Sequence, residues 1–241
     1  MMEEATLHLV DRSQMVAALR AELVVDPRRT VLVLVDAHRG HLDPEVATMP
    51  VDPQVAQRVR QRLAHLAAGV RAAGVPIVHV VMTHRRIPYP GAESMSNPFW
   101  RAVEAARQSL TPDRPSTISG HNLEGSPQTE ILPELGPAPE DVVIRSKKRL
   151  SAFYGTDLEA VLRWRGISTV ALAGINTNTC VLNTAFDAFN RDLQVIVIAD
   201  GVASMYGEDL HLFGLQNVSR CLGWVLTADE FLGLLRTEAT R

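Results

Sequence analysis

The segment VLVLV at 31–35 has five consecutive aliphatic side chains, and Asp36 and the loop AHRGHLDP follow it directly. Such a run is apolar on both faces, as a strand of a parallel sheet covered by helices must be. Similar runs recur along the chain: VPIVHVVM at 75–82, VVI at 142–144, TVALAGI at 169–175, LQVIVIA at 193–199 and GWVL at 223–226. The chain is therefore predicted to be an α/β protein built on a mostly parallel sheet.

Segments with helical periodicity separate these runs. Residues 53–73 carry one apolar stripe that stops at Gly74, and residues 156–165 and 181–191 follow the third and fourth strands. A helix, a short strand and a closing helix are expected between about 210 and 235, with Thr227 or Asp229 as the cap of the last helix. Strict alternation of strand and helix implies right-handed crossovers and a doubly wound sheet with helices on both faces.

One segment, 83–139, breaks this alternation. It is rich in Pro, Gly, Ser and Asn and contains one predicted helix near 97–109, which includes Trp100. Neither the residues before it nor those after it complete a sheet alone. We therefore expect a single domain over 1–241, with 83–139 as a lid or an interface excursion rather than a linker.

Composition excludes several classes of protein. The 241 residues are 46% hydrophobic and 21% charged, with 24 Lys+Arg against 27 Asp+Glu and a net charge of −3. No Lys/Arg block suggests a nucleic-acid partner, and no apolar stretch approaches the ~18 residues of a membrane span. The acidic amino terminus lacks a signal-peptide pattern, so we expect a cytoplasmic protein whose two cysteines are reduced thiols.

Polar residues at the carboxyl ends of the predicted strands are the candidates for chemistry, because ligands of open parallel sheets bind there. Asp36 ends the first strand, Lys147 and Lys148 follow the third, and the fourth leads through Gly174 to Cys180. An acid, an amine and a thiol should therefore share one edge of the sheet.

Each candidate also has a structural alternative. Cys180 follows four capping-type residues and should occupy the first turn of a helix, where the dipole favours a thiolate, but free cysteines are often just buried. Asp36 at a buried strand end should have a raised pKa suited to a proton acceptor, or should cap the next loop. Lys147 belongs to a basic run that could be a solvated face. Cys221 is interpreted as structural.

Three separated motifs, VLVLVDAHRGHLDP, KKRLSAFYGTDLEAVLRWRGI and AGINTNTCVLNTAFDA, together resemble the isochorismatase-like cysteine hydrolases. That superfamily includes isochorismatases, nicotinamidases and hydrolases of carbamoylsarcosine, ureidoacrylate and biuret. The resemblance runs from about residue 29 to the carboxyl terminus. With the strand pattern, it leads us to expect a six-stranded sheet in the order 3-2-1-4-5-6.

The resemblance implies a catalytic triad of Asp36, Lys147 and Cys180. Lys147 stands four residues before Ser151 of Ser-Ala-Phe, as in the family motif, but one extra residue separates it from the strand, so Lys148 stays an alternative. A non-proline cis peptide is implied between Ile175 and Asn176. The N–H groups of Asn176 and Cys180 would then form the oxyanion hole.

The implied reaction is hydrolysis of a carbon-nitrogen bond of a small ureido, carbamoyl or carboxamide compound through a thioester, with release of ammonia or an amine. The chain departs from the family at His38, where Gln is common, and in THRRIPYPGAESM, which lacks the Trp-His-Pro signature of metal-binding nicotinamidases. We therefore expect neither zinc nor another cofactor. Family members are usually oligomers, so a homodimer or homotetramer is expected.

Several loop residues are candidate substrate contacts, and each could equally be an ordinary surface residue. The predicted substrate-binding residues are His38, His41, His84, Arg85, Phe153, Tyr154 and Asn178, with Arg39, Asp43, Tyr89 and Asn176 as further wall residues. They do not distinguish biuret, longer ureides, carbamoyl amino acids and simple amides.

Two other functions stay open at this stage. One is vinyl ether hydrolysis of isochorismate, which needs no thiol, so that Cys180 argues against it. The other is a catalytically silent binding or scaffold protein, which should react slowly at Cys180, whereas the enzyme should have a depressed thiol pKa. A nucleotide-binding domain is excluded because no GxGxxG follows the first strand.

Overall fold

Six parallel strands form one sheet in the order β3-β2-β1-β4-β5-β6, as predicted. The computed structural model describes residues 11–85, 97–110 and 120–239. The strands are β1 Thr30–Val35, β2 Ile77–Met82, β3 Val142–Lys147, β4 Thr169–Ile175, β5 Gln194–Ala203 and β6 Gly223–Leu226. The central strands β1 and β4 are buried along their whole length, which explains their continuous apolar runs.

Helices cover both faces of this sheet, which confirms the doubly wound α/β fold. They are α1 Ser13–Ala21, α2 Arg39–Leu42, α3 Pro53–Ala72, α4 Pro98–Leu110, α5 Leu158–Trp164, α6 Leu182–Phe189, α7 Glu208–Asn217 and α8 Ala228–Ala239. Leu66 of α3 and Phe231 of α8 belong to the core on one face, and Leu158 of α5 and Ala185 of α6 to the core on the other. Within the described ranges, no helix is long and apolar enough to cross a membrane.

Helix ends follow the local sequence signals. The Asp52 side chain accepts hydrogen bonds from the first turn of α3, and Gly74, with φ +69°, follows its end. At the start of α8, the Thr227 hydroxyl accepts the backbone N–H of Glu230, and the Glu230 carboxylate accepts the backbone N–H of Thr227. This reciprocal capping box confirms Thr227 as the cap.

Four elements differ from the sequence predictions. β3 continues past 144 to Lys147, and β5 continues past 199 to Ala203. A π-helical turn, Thr177–Val181, precedes α6, so Cys180 does not lie in an α-helical first turn. Helix α1 was not predicted. None of its residues is buried, so it has no buried apolar stripe by which a helix can be recognised in the sequence.

The excursion 83–139 contains α4, close to its predicted position. Two isolated bridges connect its later part to the residues that follow β1 and β2. His84 pairs with Leu123 in parallel, and His38 pairs with Ile131 in the antiparallel sense. Residues 120–139 therefore lie beside the carboxyl ends of β1 and β2. Tyr89, a predicted wall residue, lies outside the described residues.

Candidate active site

An acid, an amine and a thiol meet at the carboxyl edge of the sheet. The Nζ of Lys147 donates to Oδ2 of Asp36 at 2.6 Å and lies 3.4 Å from Sγ of Cys180. The Asp36 carboxylate is close enough to the Cys180 thiol to raise its pKa. All three side chains are buried. Strands β1, β3 and the turn after β4 thus bring together the three residues expected from the sequence.

Asp36 is fixed on both of its carboxylate oxygens. While Oδ2 binds Lys147, Oδ1 accepts the backbone N–H of Met82 at 2.8 Å, and the Asp36 N–H donates to the carbonyl of Val80 at 2.8 Å. Its φ of +52° lies in the left-handed region, where Asp is one of the few tolerated residues. The chain turns sharply there, which keeps the carboxylate under the sheet edge instead of in the next loop.

Gly174 allows β4 to reach the same point. Its φ is +118°, and a Cβ at this position would overlap the carbonyl oxygen of Val35 on β1. Only glycine permits so close an approach of the two backbones. The peptide bond between Ile175 and Asn176, directly beyond this contact, is cis, and the turn that carries Cys180 follows.

A β-bulge distinguishes the two neighbouring lysines. Val80 pairs with Ile144 and Met82 pairs with Lys147, so three steps on β3 match two steps on β2. The bulge absorbs the extra residue noticed in the sequence, and it directs the Lys147 side chain inward. Lys148 instead donates from Nζ to Oγ1 of Thr83 at 2.5 Å and lines the cavity above.

The charged state of Asp36 and Lys147 follows from their pairing. Burial would raise the pKa of Asp36, but the ammonium of Lys147 outweighs it, so the pKa lies below the ordinary value. Burial likewise would lower the pKa of Lys147, and the Asp36 carboxylate reverses that effect. The expected raised pKa of Asp36 is therefore wrong, because the sequence argument considered burial without its partner. The pair rests as carboxylate and ammonium.

The thiol of Cys180 is protonated in this resting arrangement. Burial, with a further contribution from the Asp36 carboxylate, raises its pKa to about 12, and Lys147 offsets this only in part. The depressed pKa expected from a helix amino terminus is not found. Burial and the adjacent carboxylate explain the difference, because a buried site and a negative charge beside the sulfur both disfavour a thiolate.

A cavity of about 500 Å³ opens above this group. Its described wall combines three imidazoles, two cationic residues and apolar side chains, and it reaches the sulfur itself. It is lined by His41, Met49, Met82, His84, Asn97, Pro98, Trp100, His121, Lys148, Arg149, Leu150, Asn176, Thr179, Cys180 and Tyr206. A small polar molecule of a few heavy atoms fits this volume.

A family model for the isochorismatase domain matches residues 30–230. The chain belongs to the isochorismatase family. This assignment agrees with the three sequence motifs and with the fold.

Among relatives of this family member, a ureidoacrylate amidohydrolase RutB of Methylobacterium radiotolerans is 31% identical over 87% of this chain and 80% of its own length. The structure of N-carbamoylsarcosine amidase from Thermoplasma acidophilum matches with a TM-score of 0.63 and 26% identity over 83% of this chain and 97% of that one. An isochorismatase family protein from Burkholderia thailandensis matches with a TM-score of 0.65 and 29% identity over 88% and 98%.

Of the predicted substrate contacts, His41 and His84 line the cavity. His38, which stands where family members often have Gln, is buried beside the triad, and its Nδ1 accepts the backbone N–H of Gly40 at 3.1 Å. Its ring lies 5.7 Å from the ring of His41, which is part of the cavity wall.

The other four predicted contacts lie elsewhere. Phe153 packs in the core beneath the guanidinium of Arg191, and Tyr154 is 65% exposed. Asn178 accepts a hydrogen bond from the hydroxyl of Ser204, and Arg85 is exposed beside Glu124. These residues were predicted from their chain positions in loops, whereas side-chain direction depends on packing that chain position does not encode.

Sequence reasoning named His38, His41 and His84 but missed His121 and the clustering of these four buried histidines beside Asp36, Lys147 and Cys180. The ring of His41 lies 5.7 Å from that of His38 and 4.9 Å from that of His121, which in turn lies 6.4 Å from His84. Burial lowers the pKa of His38 to about 3 and that of His84 to about 4, so these rings are neutral near pH 7. In the described part of the chain, no group of His, Cys, Asp or Glu is arranged to hold a metal ion.

Proposed function

We propose that this protein is a cysteine-dependent amidohydrolase. It cleaves a carbon-nitrogen bond of a small ureido, carbamoyl or carboxamide compound through a thioester and releases ammonia or an amine. The observation that carries the proposal is the position of Cys180, which lies in the cavity wall while Lys147 bridges its sulfur to Asp36. The amidohydrolase names of two relatives agree with this chemistry.

In the proposed mechanism, Asp36 takes the thiol proton as the sulfur attacks the carbonyl carbon. A thiol with a pKa of about 12 does not ionise alone near neutral pH, so proton transfer accompanies the formation of the carbon-sulfur bond. The ammonium of Lys147, 3.4 Å from the sulfur, stabilises the charge that develops there. Lys147 stays protonated because Asp36 and Cys180 raise its pKa.

The carbonyl oxygen becomes negative in the same step. The N–H groups of Asn176 and Cys180 donate hydrogen bonds to this oxygen. Loss of such a donor typically costs ~10²- to 10³-fold in rate. Asp36 then gives its proton to the leaving nitrogen, the carbon-nitrogen bond breaks, and the amine departs. Water, deprotonated by Asp36, cleaves the acyl-sulfur bond and returns the thiol.

The charges around the cavity favour a substrate that carries a carboxylate away from the scissile bond. Lys148 and Arg149 line the wall, no Asp or Glu does so among the described residues, and Asp36 below is neutralised by Lys147. The Nε2 of His84 is buried there without a hydrogen-bond partner in the described chain. An anionic end group would satisfy the two cations and this ring nitrogen.

An ammonia-release screen tests the function. It covers ureido acids, carbamoyl amino acids, biuret and simple carboxamides, each acid paired with its neutral methyl ester. We expect release from at least one compound, faster for the acid than for its ester, and none with Cys180→Ala at an unchanged thermal midpoint. Retention of more than a few percent of the rate by Cys180→Ala would reject the nucleophile.

The two alternative functions make different predictions for the same protein. Vinyl ether hydrolysis of isochorismate would survive Cys180→Ala, and a silent binding protein would release no ammonia from any compound. Slow labelling of Cys180 does not separate the enzyme from a silent protein, because a thiol pKa of about 12 predicts slow labelling for both, so ammonia release is the test that distinguishes them. A buried, hydrogen-bonded group of Asp36, Lys147 and Cys180 is costly to retain without chemistry, which favours the enzyme. The single-domain organisation, the lid or interface role of 83–139, the cytoplasmic location and the homo-oligomeric state stay predictions.

A further inference from the structure

Three consecutive residues of the turn after β4 are held from outside by one segment, Ser204–His211. The backbone N–H of Met205 donates to Oδ1 of Asn176 at 2.9 Å, and the hydroxyl of Ser204 donates to Oδ1 of Asn178 at 2.8 Å. Oγ1 of Thr177 lies 2.8 Å from Nδ1 of His211. Every side chain between the end of β4 and Thr179 is therefore bound to the chain that follows β5.

Packing joins the same two segments. Strands β4 and β5 stay paired up to Ile175 and Ala203, directly before the two segments begin. Further along, a Cβ added to Gly214 of α7 would lie 3.1 Å from Cγ2 of Thr177 and 3.2 Å from Cα of Asn178. Helix α7 thus rests directly on the backbone of the turn. The hydrogen bonds of Ser204 and His211 prevent the turn from rotating against that helix.

The segment also separates two cavities. Tyr206 lines the cavity above Cys180, while Ser204 and His211 line a second, larger cavity of about 1440 Å³. Their hydrogen bonds point from the second cavity into the turn. Neither side chain contacts the substrate cavity, so neither can act on a substrate directly.

We infer that Ser204 and His211 are positioning residues for the proposed amide hydrolysis. By fixing the turn, they keep the N–H groups of Asn176 and Cys180 directed at the substrate carbonyl oxygen. The inference rests on the proposed function. Its physical basis is that such donors stabilise charge only when they are preorganised, since a turn that must reorient during the reaction loses part of the gain. The oxygen carries little charge in the bound substrate and most in the transition state, so loosening the turn should lower kcat and leave KM nearly unchanged.

The test compares two removals with two conservative replacements. Ser204→Ala and His211→Phe remove the bonds to the turn, whereas Ser204→Thr keeps the hydroxyl and His211→Asn keeps a polar group near the position of Nδ1. Ser219→Ala is the matched control, because the Ser219 hydroxyl donates only to the nearby carbonyl of Gln216. Each variant is assayed for kcat and KM with N-carbamoyl-β-alanine, and for its thermal midpoint.

A second readout isolates the oxyanion contact. Glutaric semialdehyde keeps the carbonyl and the carboxylate of that substrate at the same spacing, with hydrogen in place of the terminal NH₂ and CH₂ in place of the ureido N–H. The sulfur of Cys180 adds to its carbonyl carbon while the thiol proton moves to Asp36, and a reversible hemithioacetal forms whose negatively charged oxygen occupies the same site. Its inhibition constant therefore reports the oxyanion hole without any bond cleavage.

For Ser204→Ala and His211→Phe we expect kcat to fall about tenfold, less than for loss of a donor itself, with KM changed less than about twofold and the aldehyde bound about tenfold more weakly. Ser204→Thr and His211→Asn should recover most of this loss, and Ser219→Ala should match the parent. Unchanged kcat, or a fall in kcat that tracks a lower thermal midpoint without the aldehyde effect, would overturn the assignment. A parent protein that releases no ammonia from any compound would instead overturn the proposed function, and the assignment with it.

Discussion

The Nζ of Lys147 lies 2.6 Å from Oδ2 of Asp36 in a position where both side chains are fully buried. An isolated charge at such a site would be strongly unfavourable, and each of the two groups makes the other tolerable. Burial and the Asp36 carboxylate keep the neighbouring Cys180 thiol protonated, and the Lys147 ammonium offsets them only in part. Stability and chemistry are therefore coupled at this site.

Lys147 and Lys148 should respond differently to the same substitution. Lys147→Met leaves the Asp36 carboxylate buried without a partner, so we expect a loss of about 3–5 kcal/mol in the free energy of unfolding and no measurable turnover. Lys148→Met should unfold like the parent and keep its kcat, with a higher KM for carboxylate-bearing substrates only. Urea titrations and ammonia-release kinetics measure both effects. Loss of activity in Lys148→Met with an active Lys147→Met would reverse the assignment.

The thiol of Cys180 should react slowly with iodoacetamide near neutral pH. Its pKa of about 12 leaves only ~10⁻⁵ of the sulfur as thiolate at pH 7, and the thiolate is the reactive form. Mass spectrometry of the Cys221→Ser variant, in which Cys180 is the remaining cysteine, follows the reaction. Labelling should accelerate as the pH rises and become rapid after denaturation. Fast labelling of the folded variant at pH 7 would mean that the sulfur rests as a thiolate.

The fold was largely predictable because its signals are local. Continuous aliphatic runs such as 31–35 identify strands buried on both faces, and Gly74 marks a helix end by its left-handed φ. The end of β3 was not predictable, because residues after 144 alternate irregularly through a bulge that is visible only from the pairing with β2. Helix α1 buries no side chain and left no pattern.

The candidate site was predictable where a residue stands at a strand end or in the loop directly after it, as His41 and His84 do. Asp36, Lys147 and Cys180 follow from topology and the family motifs. His121, Trp100 and other wall residues come from the excursion, whose position over the sheet no periodicity reveals. The pKa directions were also out of reach, since they depend on distances between residues that are far apart in the sequence.

Gly174 and Gly166 provide a matched pair for the close approach of β4 to β1. Both have a positive φ, but a Cβ at Gly174 would overlap the Val35 carbonyl, whereas a Cβ at Gly166 meets open space. Gly166→Ala should cost about 1–2 kcal/mol from backbone strain alone. Gly174→Ala should cost more than about 3 kcal/mol or prevent folding. Similar unfolding midpoints for the two variants would show that the strands separate without penalty.

The buried histidines should make the protein sensitive to mild acid. The pKa values of His38 and His84 lie at about 3 and 4 in the folded state, below the ordinary 6.5, so between these limits the unfolded chain binds more protons. The free energy of unfolding should therefore fall as the pH drops from about 6.5, by up to about 1.4 kcal/mol per pH unit for each such histidine. His84→Gln should reduce this slope, because it removes one of the buried rings whose pKa burial lowers. Urea titrations between about pH 7 and pH 5 measure the slopes, and equal slopes for the parent and His84→Gln would mean that His84 is already free to take up a proton in the folded protein.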